Sequence, residues 1–258
     1  MAVTPDGELV MFVLQARRAG GASQAHVYPT WSADGGRTWG PLGQEITLFR
    51  GWTEPNPQGK IFELSDGRWM MPAYGSDVAS GIASPTAGGA IGYTITAVSN
   101  DRGRTWRRRG VMARSDSIHF HEPAVLRLSG GRFMAVIRTQ GEPFTSYLCY
   151  SADEARTWSE PRELPFAGQT PYMIELGGGS VLCAYRDRDP LQLGISASVT
   201  HDGGKSWQYA GSLYEGTDWN CGYPGLVQLA DGYFFCIYYT CYKQVNCEVH
   251  GLILRVDN

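Results

Sequence analysis

The sequence carries little charge and has no extended basic block. Lys, Arg, Asp and Glu make up 18% of the 258 residues, and the formal net charge is −3. The tightest basic cluster is Arg107–Arg109, which follows a turn and is interpreted as a solvated strand edge. A mildly acidic chain of this kind argues against nucleic acid as a partner.

Three targeting and metal-binding signals are also missing. No apolar run approaches the ~18 residues of a membrane span. The N-terminal MAVTPDGELVMF shows no signal peptide, so a cytoplasmic location is expected unless the chain begins inside a longer secreted or periplasmic protein. None of the six cysteines forms a Cys-x-x-Cys pair, so no zinc site is expected. No cofactor is expected either.

The cysteines therefore have structural interpretations. Cys183 and Cys236 stand in apolar, strand-like runs and are predicted to be buried thiols. Cys241 and Cys247 are close enough in sequence to form a bridge, but the compartment that would decide this is not known from the sequence.

A repeated octapeptide is the strongest positive signal. Four copies of S/T-x-D-x-G-x-S/T-W occur: SADGGRTW (32–39), SNDRGRTW (99–106), SADEARTW (151–158) and THDGGKSW (200–207). A period of this length indicates a solenoid, a propeller or an array. The third copy has Ala155 in place of glycine, so its turn is expected to be strained or differently shaped.

A second repeat alternates with the first. Five glycine turns each precede an apolar, β-rich run, with marker glycines at Gly7, Gly67, Gly131, Gly179 and Gly232. Each unit is therefore predicted to form a four-stranded antiparallel sheet. No amphipathic helix is evident. Radial repetition of such sheets predicts an all-β, single-domain β-propeller over residues 1–258, with five four-stranded blades visible.

The octapeptides resemble the Asp-box (BNR) repeats of the sialidase superfamily, and the resemblance covers nearly the whole chain. It implies a six-bladed propeller, whereas five units are visible. We therefore expect either an N-terminally truncated six-bladed protein or an unusual propeller. Asp boxes also occur in proteins that are not enzymes, so the octapeptides themselves do not assign a function.

Superposing the units locates a candidate site, because equivalent blade positions in a propeller converge on one channel. The units align on Leu64, Leu128, Leu176 and Leu229. Six residues upstream of these leucines lie Gln58, Glu122, Thr170 and Tyr223. Ten residues downstream lie Tyr74, Arg138, Arg186 and Tyr239. Two rings of polar and aromatic side chains, in place of an apolar core, are typical of a binding site.

Two segments resemble the catalytic segments of sialidases. HEPAVLRLSGGRFMAVIR (121–138) resembles the segment that carries a Glu and, sixteen residues later, an Arg that binds the substrate carboxylate. CGYPGLVQLADGYFFCIYY (221–239) resembles the segment of the nucleophilic Tyr. The resemblance implies Tyr223 as nucleophile, Glu122 as its base, and Arg138 with Arg186 or Arg188 as carboxylate ligands.

The residue types fit that chemistry. A sialic-acid-like substrate has a carboxylate on its anomeric carbon, which would repel a carboxylate nucleophile but not a phenol. A neighbouring Glu can remove the phenolic proton during attack. Arginine holds a carboxylate with two parallel hydrogen bonds, a geometry that lysine cannot match.

Further residues are expected at the site, and two residues of the sialidase pattern are missing from this sequence. Asp218, Trp219 and His121 are expected to line the pocket. The His119–His121 pair is interpreted as belonging to a loop and not as a metal site. No Asp lies between Asp6 and Asp34, where sialidases carry their acid/base, and no Arg precedes the first glycine turn. The candidates left for the acid are Asp116, Asp218 and His119.

Three functions follow from these residues. The first is a retaining exo-glycoside hydrolase that acts on a terminal acidic sugar, so the expected partner is an acidic glycan. The alternatives are a non-catalytic carbohydrate-binding propeller and a propeller polysaccharide lyase. The sequence carries no signal for an oligomeric state.

Overall fold

The computed structural model describes residues 1–19, 22–49, 56–77, 91–141, 144–217, 219–230, 232–242 and 246–255. For residues 16–19, 22–25 and 242 it describes the backbone alone. These described parts contain β-strands and one short 3₁₀ turn, Gly177–Gly179, but no α-helix. The all-β prediction is therefore confirmed. No helix within them is long and apolar enough to span a bilayer.

Five sheets follow one another along the chain. Sheet 1 contains β1 (Ala2–Val3), β2 (Leu9–Ala19) and β3 (Ala22–Ser32). Sheet 2 contains β4 (Asn56–Pro57), β5 (Phe62–Glu63), β6 (Trp69–Gly75), β7 (Tyr93–Ser99) and β8 (Arg107–Ala113). Sheet 3 contains β9 (Phe120–Arg127), β10 (Phe133–Thr139), β11 (Ser146–Ser151) and β12 (Arg162–Glu163). Sheet 4 contains β13 (Gly168–Glu175), β14 (Val181–Asp187), β15 (Gly194–Thr200) and β16 (Gln208–Glu215). Sheet 5 contains β17 (Cys221–Ala230), β18 (Tyr233–Tyr242) and β19 (Asn246–Arg255).

The order of strands within each sheet follows the chain, as the repeat predicts. Sheets 3 and 4 have four strands, and in sheet 2 the short strands β4 and β5 both pair with β6 and so occupy one edge position. Sheets 1 and 5 have three strands within the described residues. The four-strand unit is therefore complete in the three central sheets.

The chain divides into two compact units, each with its own core. The first unit is Met1–Pro123 with Cys149–Pro161, and the second is Ala124–Leu148 with Arg162–Asn258. In the first unit Trp69, Met71 and Tyr93 are among the buried side chains. In the second, Ile195 and Phe234 belong to the core. Burying a large apolar side chain of this kind contributes about 2 kcal/mol.

Hydrogen bonds within each octapeptide turn explain the sequence pattern. The Asp34 carboxylate accepts bonds from the Thr38 amide (2.9 Å) and hydroxyl (2.6 Å) and from the Ser32 hydroxyl (2.8 Å). The Ser32 oxygen in turn accepts the Gly36 amide at 2.8 Å. The same bonds recur around the other aspartates, Asp101, Asp153 and Asp202. Each turn is thus closed by its own side chains.

The third turn keeps this geometry despite its alanine. Ala155 is fully buried with φ 62°, and its amide donates to the Ser151 hydroxyl at 2.9 Å. A left-handed alanine is strained by roughly 1–2 kcal/mol. The expectation of strain is confirmed, whereas the hydrogen bonds show the same turn and not a different one.

The basic cluster is not a solvated edge, so that interpretation is wrong for two of its three members. The Arg108 guanidinium bonds to the Leu48 carbonyl and to the Asp77 carboxylate (2.5 Å), and it lies 4.9 Å from the Phe49 ring centroid. The Arg109 Nε donates to the Glu154 carbonyl at 2.8 Å. Both side chains are half-buried because other parts of the first unit pack over β8.

The prediction of buried thiols is confirmed, and the structure decides the bridge that the sequence left open. Cys183 and Cys236 are fully buried, and burial raises the pKa of the Cys236 thiol to about 11. Cys241 and Cys247 stand opposite each other on β18 and β19 and form a disulfide. The bridge therefore closes the end of sheet 5.

Candidate functional site

Three of the four upstream positions share an unusual backbone. Glu122, Thr170 and Tyr223 have φ values of 45°, 49° and 48°, in the first strands of sheets 3, 4 and 5. In sheets 4 and 5 this residue lies at a register shift, between Gln169 and Tyr172 and between Gly222 and Gly225. Left-handed non-glycine residues cost about 1–3 kcal/mol each and are rarest for β-branched side chains such as Thr170.

The repetition of this strain supports the superposition of the units. Gln58, the fourth upstream residue, is not among the positive-φ residues. Two downstream residues support the same alignment of the units, because Arg186 pairs with Gln169 and Tyr239 pairs with Gly222. Each stands opposite the residue that precedes its bulge.

Arg186 lies at the centre of a small cluster in the second unit. Its Nε donates to the Cys221 carbonyl, and its Nη2 donates to the Tyr239 hydroxyl at 3.1 Å. Its guanidinium carbon lies 5.9 Å from the centroid of the Tyr223 ring. The Tyr223 and Tyr239 rings stack with centroids 6.1 Å apart. We call Arg186, Tyr223 and Tyr239 the arginine–tyrosine cluster.

The members of this cluster differ in exposure. Arg186 is 8% exposed, whereas Tyr223 is 50% exposed. Two of the five N–H donors of Arg186 bond to described residues. A buried cation with donors remaining, beside an exposed phenol, is an arrangement that can take an anionic ligand.

Gly222 provides the space that Arg186 occupies. A Cβ at this position would lie 2.5 Å from Nη2 and 2.9 Å from Nε of Arg186, and the glycine has φ 152°. Real Cβ atoms do not approach other atoms so closely. The position of the Arg186 guanidinium therefore depends on a glycine at 222.

Thr170 supports Tyr223 from the neighbouring sheet. Its buried hydroxyl accepts a bond of 3.1 Å from the Tyr223 backbone amide. The repeat places Thr170 in the upstream ring but predicts no role for it. Its equivalence to Glu122 and Tyr223 was the available signal, but the hydrogen bond between two bulges required the structure.

Arg138 is the last residue but one of β10 and is also 8% exposed. Its Nη1 donates to the Thr139 carbonyl at 3.3 Å and to the Gln140 side-chain oxygen. The Thr139 carbonyl also accepts the Gln169 amide group at 3.3 Å. Since Gln169 pairs with Arg186, hydrogen bonds and strand pairing connect the two predicted carboxylate ligands within one unit.

Arg188 has a different environment. Its guanidinium carbon lies 4.1 Å from the Phe144 centroid and 5.1 Å from the Trp219 ring. Trp219 is 47% exposed. The structure therefore places Arg186, and not Arg188, against Tyr223. Asp218 lies outside the described residues.

The remaining candidates belong to the first unit. Glu122 is 4% exposed, and the His121 ring lies 4.9 Å from the Tyr74 ring and 6.3 Å from the His119 ring. His119 Nδ1 accepts the Gly92 amide at 3.2 Å, and Asp116 is exposed. The pairing of Glu122 with Tyr223 stays a prediction. Within the described part of the chain, no three His, Cys, Asp or Glu side chains could hold a metal ion together.

Comparison with known proteins identifies the fold. The family model described as a BNR repeat-like domain matches residues 1–236, and no curated protein sequence matches the chain. A protein of unknown function from Dyadobacter fermentans is 21% identical with a TM-score of 0.79, over 98% of this chain and 74% of that one.

Glycoside hydrolases are among the other similar structures. A Hadza microbial sialidase is 19% identical with a TM-score of 0.68, over 92% of this chain and 48% of its own length. The Penicillium chrysogenum α-L-arabinanase, complexed with arabinobiose, is 15% identical with a TM-score of 0.64, over 96% of this chain and 72% of that one. The present chain thus spans about half of that sialidase. These likenesses show a sialidase-type β-propeller fold whose blades are the five sheets.

Proposed function

The chain belongs to the BNR repeat-like domain family, and we propose that it is an exo-glycoside hydrolase that removes a terminal acidic sugar from a glycan. In this proposal Tyr223 is the nucleophile and Glu122 its base. Arg138 and Arg186 bind the sugar carboxylate, and the anomeric configuration is retained.

The observation that carries the proposal is the arginine–tyrosine cluster. A carboxylate on the anomeric carbon, held by Arg186, would lie next to the Tyr223 hydroxyl. The buried guanidinium supplies a fixed positive charge that favours both the bound carboxylate and the negative charge that develops on the phenol oxygen. Because Tyr223 lies at a strained bulge of β17 and Gly222 leaves the space that Arg186 occupies, both groups are positioned before substrate binds.

The covalent steps use few groups. The Tyr223 oxygen bonds to the anomeric carbon and Glu122 takes the phenolic proton, while the glycosidic oxygen departs with a proton from the general acid, for which Asp116, Asp218 and His119 are the candidates. Water then attacks the same carbon and gives its proton to the conjugate base of that acid, Tyr223 leaves and recovers its proton from Glu122, and the second inversion restores the configuration. The role of Glu122 rests on its strained, buried position in β9 and on its sixteen-residue spacing from Arg138.

The test is turnover of aryl sialosides and of related ulosonic and uronic acid glycosides. We expect Tyr223→Phe and Arg138→Ala each to reduce kcat/KM by about 100-fold or more, because each removes a group that acts in the transition state. Retained configuration in the released sugar, followed by NMR, tests the two-step scheme. Turnover that is unchanged in both variants overturns the assignment.

A non-catalytic carbohydrate-binding propeller is the second candidate. It is favoured by the lack of any Asp between Asp6 and Asp34, where sialidases carry their acid/base. This alternative gives saturable binding of an acidic glycan that survives Tyr223→Phe, with no product. An unsaturated product absorbing in the ultraviolet would instead indicate a lyase.

A further inference from the structure

We propose that a cleft in the second unit, separate from the arginine–tyrosine cluster, is a second site that binds a neutral oligosaccharide. The cleft encloses about 910 Å³ and is lined by residues 144–145, 163–167 and 187–190 together with Tyr185, Gln192, Ser198, Trp207 and Tyr209. Its volume lies in the ~300–1,000 Å³ range of small-molecule sites. The proposal does not require Tyr223 to be a nucleophile.

The geometry of β14 separates the two sites. Successive side chains of a strand point to opposite faces of its sheet, so Arg186 and its neighbours Tyr185 and Asp187 lie on different faces. Arg186 faces the arginine–tyrosine cluster, whereas Tyr185 and Asp187 line the cleft. One face of the strand therefore offers a cation and the other a carboxylate.

Aromatic rings form much of the cleft wall. Phe166 stacks on Tyr185 with centroids 4.6 Å apart and meets Trp207 edge to face at 5.6 Å. Tyr209 on the outer strand β16 is 51% exposed and also lines the cleft. Flat aromatic faces pack against the C–H faces of sugar rings, and the exposed ring of Tyr209 is available for this contact.

The polar groups of the cleft are fixed in place. Glu163 accepts bonds from the hydroxyls of Thr145 (3.3 Å) and Tyr147 (3.5 Å). Asp187 accepts the Asp189 amide at 3.0 Å, and Asp189 accepts the Leu191 amide at 2.9 Å. A carboxylate has about four lone-pair sites, so Asp187 and Asp189 can also accept hydrogen bonds from sugar hydroxyls.

The balance of charge selects a neutral ligand. Three carboxylates (Glu163, Asp187, Asp189) and one guanidinium (Arg188) line the cleft, so an acidic sugar would be repelled. Arg188 stacks at 4.1 Å on Phe144 and so occupies the ring face that could otherwise attract a cationic ligand. Sugar hydroxyls, which both donate and accept, suit carboxylates beside a guanidinium.

The experiment is calorimetric titration with neutral arabino-, galacto- and gluco-oligosaccharides at millimolar concentration. The variants Tyr209→Ala and Asp189→Asn alter exposed side chains and are expected to fold. Each should weaken binding by about tenfold or more, whereas Tyr209→Phe keeps the ring and should stay within about threefold of the parent. Tyr233→Ala, an exposed tyrosine of sheet 5 (43% exposed), is the matched control and should bind normally.

Several outcomes would overturn the second site. They are the absence of saturable binding for every oligosaccharide, equal affinity in Tyr209→Ala and the parent, equal loss in Tyr233→Ala, or tighter binding of an oligolysine peptide than of any sugar. Turnover of acidic aryl glycosides is measured separately. Its loss in Tyr223→Phe, with oligosaccharide binding intact, would distinguish the two sites.

Discussion

The hydroxyl of Thr170 accepts a hydrogen bond of 3.1 Å from the backbone amide of Tyr223. Both residues have a left-handed backbone, and each lies at a bulge in the first strand of its sheet. Two strained positions in neighbouring sheets are thus joined by one partly buried hydrogen bond.

Replacement of Thr170 tests whether this contact positions Tyr223. Thr170→Val keeps the shape but removes the acceptor, so we expect kcat on an aryl acidic glycoside to fall about tenfold. Stability should fall by about 1 kcal/mol, because one hydrogen bond is lost. Thr170→Ser should restore kcat. A Val variant with parental kcat and lowered stability would make Thr170 a purely structural residue.

A methyl group at position 222 should displace Arg186. The added Cβ of Gly222→Ala would lie 2.5 Å from Nη2, the flexible end of the arginine, so the guanidinium is expected to move and the chain to fold. We expect KM for the acidic glycoside to rise about tenfold, with kcat/KM falling at least as much.

Gly211 is the matched control for that substitution. It has a similar backbone angle, φ 139°, but a Cβ added there would have no neighbouring atom within 4 Å. Gly211→Ala therefore carries the backbone strain without the contact to Arg186. Equal changes in KM for both alanine variants would contradict the role of Gly222.

Acid should weaken the octapeptide turns. The hydroxyl and amide of Thr38 and the hydroxyl of Ser32 lower the pKa of Asp34 to about 2. Its usual value is about 3.9. Because the folded pKa is the lower one, the stabilisation is complete above about pH 4 and is lost as the pH falls through about 2.

Two variants check this dependence. The difference in unfolding free energy between the parent and Asp34→Asn should shrink as the pH is lowered from about 5 to about 2 in urea titrations. Thr38→Val removes the largest cause, so the Asp34 pKa, followed by carboxyl NMR, should rise towards its usual value. A pKa that does not change in Thr38→Val would refute the explanation.

Comparing substrates with different leaving groups should identify the general acid of the proposed reaction. Aryl oxygens depart without protonation, whereas sugar hydroxyls need a general acid. Among Asp116→Asn, His119→Gln and Asp218→Asn, the variant of the true acid should lose about 100-fold on a natural disaccharide and little on an aryl glycoside. If all three variants treat both substrates alike, none of these residues is the acid.

The alignment of the repeat units could be predicted from the sequence because it depends on local turn and strand signals. Each octapeptide turn is closed by hydrogen bonds among residues at most four positions apart. The same residue pattern therefore produces the same turn. Glycine turns and apolar runs likewise indicate strands. These signals alone identify residues 122 and 223 as equivalent positions, and likewise 138 and 186, while the resemblance to sialidases singles the four out as candidate site residues.

The alignment of the units favoured Arg186 over Arg188, but local signals could not show that Arg186 contacts Tyr223 or reveal the burial of Arg108. These side chains contact residues that are distant in the chain, such as Cys221 for Arg186 and Leu48 for Arg108. No pattern within a repeat encodes such partners.

The all-β repeat, the number of sheets and the two rings of candidate residues were predictable from the amino-acid order, because they depend on turns and on strand alternation. Which ring members meet depends instead on the packing of the folded chain. The left-handed bulge at Tyr223, the space beside Gly222 and the cleft on the far face of β14 all arise where strands distant in sequence come together. Packing of that kind depends on every neighbour at once and not on any single repeat.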